Sequence, residues 1–202
     1  MRRELGSLPR ATAERVARHL VAAGRLIDDD PEAALTHAMA ARRDGSRIGV
    51  VREACGLAAY AAGRFEQALA ELRAARRLTG SPHNAPVMAD CERGLGRPER
   101  ALELTGGVDR SLLDAATRIE LVIVEAGARR DLGQPAAALA VLDLPELHGQ
   151  SVGTSIARLR YAYADTLAEL GRRDEAAEWF ARSAAADLDS ETDADDRRAA
   201  LG

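Results

Sequence analysis

The chain has 202 residues, 47% hydrophobic and 30% charged, the balance of a globular protein with room for a real core. A net charge of −4 opposes binding to nucleic acid through phosphate contacts. All 28 basic residues are arginine, and the lack of lysine excludes a lysine Schiff base or a lysine-bearing phosphate loop.

Alanine, leucine and arginine dominate and favour helix, while β-branched residues are too scattered for a large sheet. The segment Met1 to Ala23 is broken by Arg10, Glu14, Arg15 and Arg18, so it does not read as a signal peptide. No later apolar run is long enough to span a membrane. Cys55 and Cys91 lie in apolar helical stretches without the paired spacing of a metal or redox motif. They read as free thiols of a cytoplasmic protein.

In chain order the apolar periodicity predicts helix pairs at 11–27 with 31–43, 47–62 with 65–79, 84–95 with 97–105, 111–132 with 134–142, and 154–170 with 173–186. One turn recurs between the members of each pair. It reads Gly63-Arg-Phe-Glu-Gln-Ala68, Gly96-Arg-Pro-Glu-Arg-Ala101, Gly133-Gln-Pro-Ala-Ala-Ala138 and Gly171-Arg-Arg-Asp-Glu-Ala176, with Asp29 replacing the glycine in the first copy. Successive turns are 34, 33, 37 and 38 residues apart, the spacing of an internal repeat. Glycine there can adopt the left-handed conformation that ends a helix. Pro31, Pro98 and Pro135 can start the next helix without losing a hydrogen bond. Two positions hold small residues in every copy: Ala34, Ala68, Ala101, Ala138 and Ala176 after the turn, and Ala22, Gly56, Ala89, Ala126 and Ala164 before it. Small residues are needed where two helix axes come closest.

This pattern resembles the tetratricopeptide repeat across roughly residues 11–187, and more loosely the stand-alone repeat proteins of high-GC bacteria. The family's tryptophan and tyrosine in the first helix are mostly replaced here by alanine or arginine. The resemblance implies an all-α, right-handed α-solenoid of about five antiparallel helix pairs, forming one domain over 1–187. The remainder, 188–202, is expected to be an acidic disordered tail or a frayed helix.

In that family the first helices line a concave binding groove. By periodicity the groove stripe lies about thirteen, ten, six and three residues before each turn. It takes in Val16, His19 and Ala23; Glu53, Leu57 and Tyr60; Asp90 and Arg93; Glu120, Ile123 and Arg130; and Arg158, Tyr161 and Asp165. Tyrosine and arginine are frequent interface anchors. Some relatives clamp a C-terminal carboxylate with lysine, asparagine and arginine. His19, Glu53, Asp90 and Asp165 stand at groove positions here, so the expected ligand is a basic or mixed-charge protein segment near Tyr60 and Tyr161.

No cofactor, metal or catalytic group is expected. Gly149-Gln-Ser151-Val-Gly153 has the spacing of a nucleophile elbow, but a helix precedes it and no histidine follows it. The acids from Asp187 to Asp193 lack the glycine and glutamate of a calcium loop. Arg42, Arg43, Arg47, Arg73, Arg76 and Arg77 read as solvated helix ends rather than a phosphate patch. The leading expectation is a binding scaffold without catalysis. The alternative is a self-associating protein that uses an uncovered C-terminal end, with Trp179 exposed.

Overall fold

The computed structural model describes residues 4–201. Among them there are twelve α-helices and no strand. Contacts group the chain into two compact units, one ending at Gly96 and the other beginning at Arg97. The boundary between these units falls in the turn of the third helix pair.

The first unit holds α1 (Arg10–Leu26), α2 (Pro31–Gly45), α3 (Gly49–Ala61), α4 (Phe65–Thr79) and α5 (Ala85–Gly94). A short 3-10 turn, Glu4–Ser7, precedes α1 and places Leu5 in a core with Val16, Leu20, Ala41, Ile48 and Val51. The second unit holds α6 (Pro98–Gly106), α7 (Ala115–Asp131), α8 (Pro135–Leu142), α9 (Pro145–His148), α10 (Thr154–Glu169), α11 (Arg173–Ala186) and α12 (Ala194–Ala199). Its core joins Ile119, Val122, Leu142, Leu147, Leu159, Leu167 and Phe180. Each fully buried side chain of this kind contributes about 1.5–3 kcal/mol through burial.

Turn chemistry explains where the helices stop. Gly63, Gly96, Gly133 and Gly171 all have positive φ, between 68° and 77°. At Gly63 the glycine N–H donates to Tyr60 O and the next N–H, of Arg64, donates to Ala59 O. The same paired bonds recur at Gly133 with Gln134 and at Gly171 with Arg172. These crossed bonds satisfy carbonyls that the helix end would otherwise leave open. The following helices begin with proline at Pro31, Pro98 and Pro135.

The first turn differs because it lacks glycine. Asp30 caps α2 instead, accepting the Ala33 N–H at 3.0 Å. The small position of α1 moves by one residue: Ala23 is buried, and Ala22 is only half-buried. Elsewhere the expected small positions hold. Ala34, Ala68, Ala101, Ala138 and Ala176 are all 0% exposed. Gly56 lies against Leu72 of α4, whose Cγ and Cδ2 would be 2.5 Å from an added Cβ.

Three corrections concern the C-terminal end. Where a disordered tail or a frayed helix was expected, α12 forms and Ala194 is buried in the second unit's core. The run of acids hid this: the segment has only two apolar anchors, Ala194 and Leu201. Trp179 is 9% exposed rather than open. It is enclosed by Tyr163 and His148 edge-on and by the Arg182 guanidinium 4.4 Å above its ring. The uncovered end on which self-association would rest is thus partly covered by the chain itself.

Both cysteines are buried. Cys55 Sγ donates to Ala38 O at 3.2 Å, and burial pushes both thiols up to about 12. The thiolate is the reactive form, so thiol labelling of the native protein at pH 8 is expected to be at least about a hundredfold slower than in denaturant. Equal labelling rates would show that these helices open readily.

Candidate functional site

The stripe predicted on the first helices is partly assembled, within each unit separately. In the first unit α3 and α5 bring Tyr60 to Asp90, the tyrosine hydroxyl donating to Asp90 Oδ2 at 2.6 Å. Arg93 Nη1 meets the other Asp90 oxygen at 2.8 Å. One turn or more away, Glu53 accepts from Asn84 Nδ2 at 2.8 Å, and Leu57 is half-buried on the same helix. The result is a polar face in which each acid already has a donor.

His19 does not join that face. Its Nδ1 lies 3.0 Å from His37 Nδ1 on α2, one ring donating and the other accepting according to tautomer. Val16 and Ala23 are core residues. The turn at Asp29 is one residue longer than the later ones and holds no left-handed glycine, so positions counted back from it shift along α1.

In the second unit α7 and α10 lie side by side and their stripe residues pair directly. Glu120 meets Arg158 at 2.9 Å and Arg130 meets Asp165 at 2.7 Å. Arg130 also reaches Glu169 at 2.5 Å. Charge complementarity between these helices was legible from the stripe, although the role of the tail was not. Arg197 of α12 also pairs with Asp165, and the Tyr161 hydroxyl hydrogen-bonds to Asp193. Ile123, Arg158, Tyr161 and Ala162 form one wall of a pocket of about 460 Å³, with Glu191, Thr192 and Asp193 as the other wall.

Burial first, and then the hydrogen bond to Asp193, raise the Tyr161 hydroxyl to about 12. An unfolded tyrosine ionises near 10. A raised folded value favours the protonated native state, so its stabilising contribution is complete below about pH 10 and is lost as pH rises toward 12. Tyr161→Phe is expected to flatten the alkaline fall in stability over that window, read by denaturant melts at stepped pH. An unchanged alkaline profile would contradict the buried setting of this hydroxyl.

Several important polar residues were missed at the sequence level. Glu71 of α4 is buried and bridges Arg42 at 3.1 Å and Arg52 at 2.7 Å. Buried Glu92 takes Arg73 at 2.6 Å, and buried Glu125 takes Arg110 at 2.5 Å and Arg129 at 2.9 Å. Arg42 and Arg73, two members of the supposed basic helix ends, are therefore structural partners of acids. A signal existed in the sequence: Glu71, Glu92 and Glu125 each interrupt an otherwise apolar helix face. Arg160, buried on α10, carries no such signal among so many arginines.

The other motifs singled out in the sequence lie in loops or at helix ends. Ser151 is exposed in the loop between α9 and α10, far from the strand setting of a nucleophile elbow. The Asp187 carboxylate is spent on the Glu191 N–H at 3.0 Å and the Thr192 N–H at 2.7 Å. No cluster of three metal-ligating side chains occurs among the described residues. No helix there is long and apolar enough to cross a membrane.

What the fold and these faces define is an all-helical protein of consecutive helix pairs with charge-lined first-helix faces. Comparison with protein-family models, with curated proteins and with solved structures gave no match.

Proposed function

We propose that the protein is a tetratricopeptide-type scaffold that binds a mixed-charge protein segment on the faces of its first helices. The observation that carries this reading is the pocket walled by Ile123, Arg158, Tyr161 and Ala162 on α7 and α10. Three of those four belong to the stripe expected from the repeat period. The repeat reading itself is supported by the four left-handed glycines and the five fully buried alanines.

The chain's own tail indicates the ligand chemistry. Arg197 supplies a cation to Asp165, and Asp193 supplies a carboxylate to the Tyr161 hydroxyl. Residues four apart on one helical turn meet two neighbouring receptors, so a partner helix with an acid and an arginine at that spacing fits the same face. Buried unpaired thiols suit a cytoplasmic setting. The reading excludes catalysis as the main role, with binding at about micromolar affinity for a transient partner.

The test is affinity capture from a native lysate, comparing the intact protein with Tyr60→Ala, Tyr161→Ala and Asp165→Arg combined. A partner retained by the first and lost by the second supports a face-binding scaffold. Identical capture by both sinks it. Recovery of the protein's own chain alone would favour self-association.

A further inference from the structure

The interval between the turns at Gly133 and Gly171 is 38 residues, four longer than the 34 that separate the first two turns. The extra length follows α8, where α9 and the loop from Gly149 to Gly153 lead into α10. This insertion encloses a pocket of about 450 Å³ lined by Leu147, His148, Gly149, Gln150, Arg160, Arg182 and Ala185. It shares no lining residue with the pocket at Tyr161.

Its polar lining is unusual for this protein. Nearly every other buried charge here is paired with its opposite, yet Arg160 is 8% exposed and meets only carbonyl oxygens. Nη2 donates to Gly149 O at 2.7 Å, Nη1 to Arg182 O at 3.2 Å and Nε to Leu147 O at 3.4 Å. A guanidinium carries five N–H donors, so two remain beyond these carbonyls. The second cation, Arg182, lies over Trp179 and has no carboxylate partner among the described residues. Burial and then the Arg182 charge pull the Arg160 pKa below its ordinary value, as expected where two cations face each other without an anion. The lining holds no carboxylate, and its His148 turns Nε2 to Asp143, outside the lining, at 2.6 Å.

We propose that this pocket is an anion site, formed by Arg160 and Arg182 beneath the inserted loop, that takes the phosphate group of a small phosphorylated ligand. Guanidinium groups suit phosphate oxygens through paired, directional N–H donors. Charge decides between oxyanions. Two uncompensated guanidiniums match a phosphate dianion, whereas a monocarboxylate leaves one of them unbalanced. The pocket volume also exceeds that of a bare phosphate, leaving room for the organic part of an ester.

Trp179 is the chain's one tryptophan and lies beneath Arg182, so its emission reports directly on the site. Titration with inorganic phosphate and with glycerol phosphate, at constant ionic strength against chloride, is expected to give a saturable change that chloride does not reproduce. Tighter binding of the ester assigns the remaining volume to an organic body, while equal binding assigns the site to free phosphate. Arg182→Ala is expected to abolish binding measured by calorimetry. Gln150→Glu, which places a carboxylate at the rim and leaves Arg182 on Trp179, is expected to weaken it at least about tenfold. Both positions are on the surface side of the pocket, so melting temperature checks that the variants fold. A response linear in anion concentration, one matched by chloride, or one unchanged in both variants reduces Arg160 to a staple for the loop and overturns the proposal.

Discussion

Gly56→Leu should be among the most damaging single changes in the first unit. Even a Cβ at this position would sit 2.5 Å from Leu72 Cγ and Cδ2 and 3.2 Å from the Leu72 backbone nitrogen. Leu72 is fully buried, so it has no free direction in which to yield, and α3 must move off α4. Replacing a helical glycine by alanine ordinarily gains about 1 kcal/mol in helix propensity. Overpacking costs about 1–3 kcal/mol and outweighs that gain, leaving Gly56→Ala destabilised and Gly56→Leu more so, by on the order of 3 kcal/mol. Gly24 is the control, since it lies on α1 with nothing within 4 Å of an added Cβ. There Gly24→Ala is expected to stabilise by about 0.5–1 kcal/mol. Denaturant melts of the two alanine variants should shift in opposite directions. A shift in the same direction would mean that α3 and α4 are not in close contact.

Glu71→Leu is the second large effect. The carboxylate is the shared partner of Arg42 on α2 and Arg52 on α3, so its removal leaves two guanidiniums facing each other where three helices meet. Breaking a fully buried pair costs about 3–5 kcal/mol. Both arginines retain some exposure and can partly rehydrate, which brings the expected loss to about 2–3 kcal/mol. Combining it with Arg52→Leu should restore part of the stability, because it removes one of the two stranded guanidiniums and leaves Arg42 alone, free of its repulsive neighbour. Strict additivity of the two substitutions would refute the bridge.

Local signals reveal most of the helices. Glycine at 63, 96, 133 and 171 combines a conformational preference with a helix stop, and small residues at fixed distances from it mark close packing. Each signal acts within one or two turns of chain, where periodicity is informative. At Asp29 the cap is different, and His19 lies against His37, a contact that no local signal announces. Local signals are silent at the C-terminal end too, because docking of α12 depends on Arg197 finding Asp165 and Ala194 entering the core. Those contacts join residues some thirty positions apart, and composition carries no trace of them. Of the stripe, Tyr60 with Asp90, Arg130 with Asp165 and Glu120 with Arg158 could be placed on one face by counting. Which of them would neutralise each other depended on the helix-to-helix register, a tertiary quantity.

The crossed hydrogen bonds at the left-handed glycines make the turn within a pair a rigid unit of fixed length. Among the described residues the connections between pairs lack this crossed pair, although Gly80 is also left-handed, and there the chain varies: Arg110–Leu112 and Pro145–His148 are short helical pieces between hairpins. The protein thus behaves like text with words of constant spelling and spaces of adjustable width. New sequence, whether a recognition loop acquired in evolution or a peptide grafted by design, is expected to be accommodated at exposed positions of such a connection, as between Ser151 and Val152, while each hairpin stays intact.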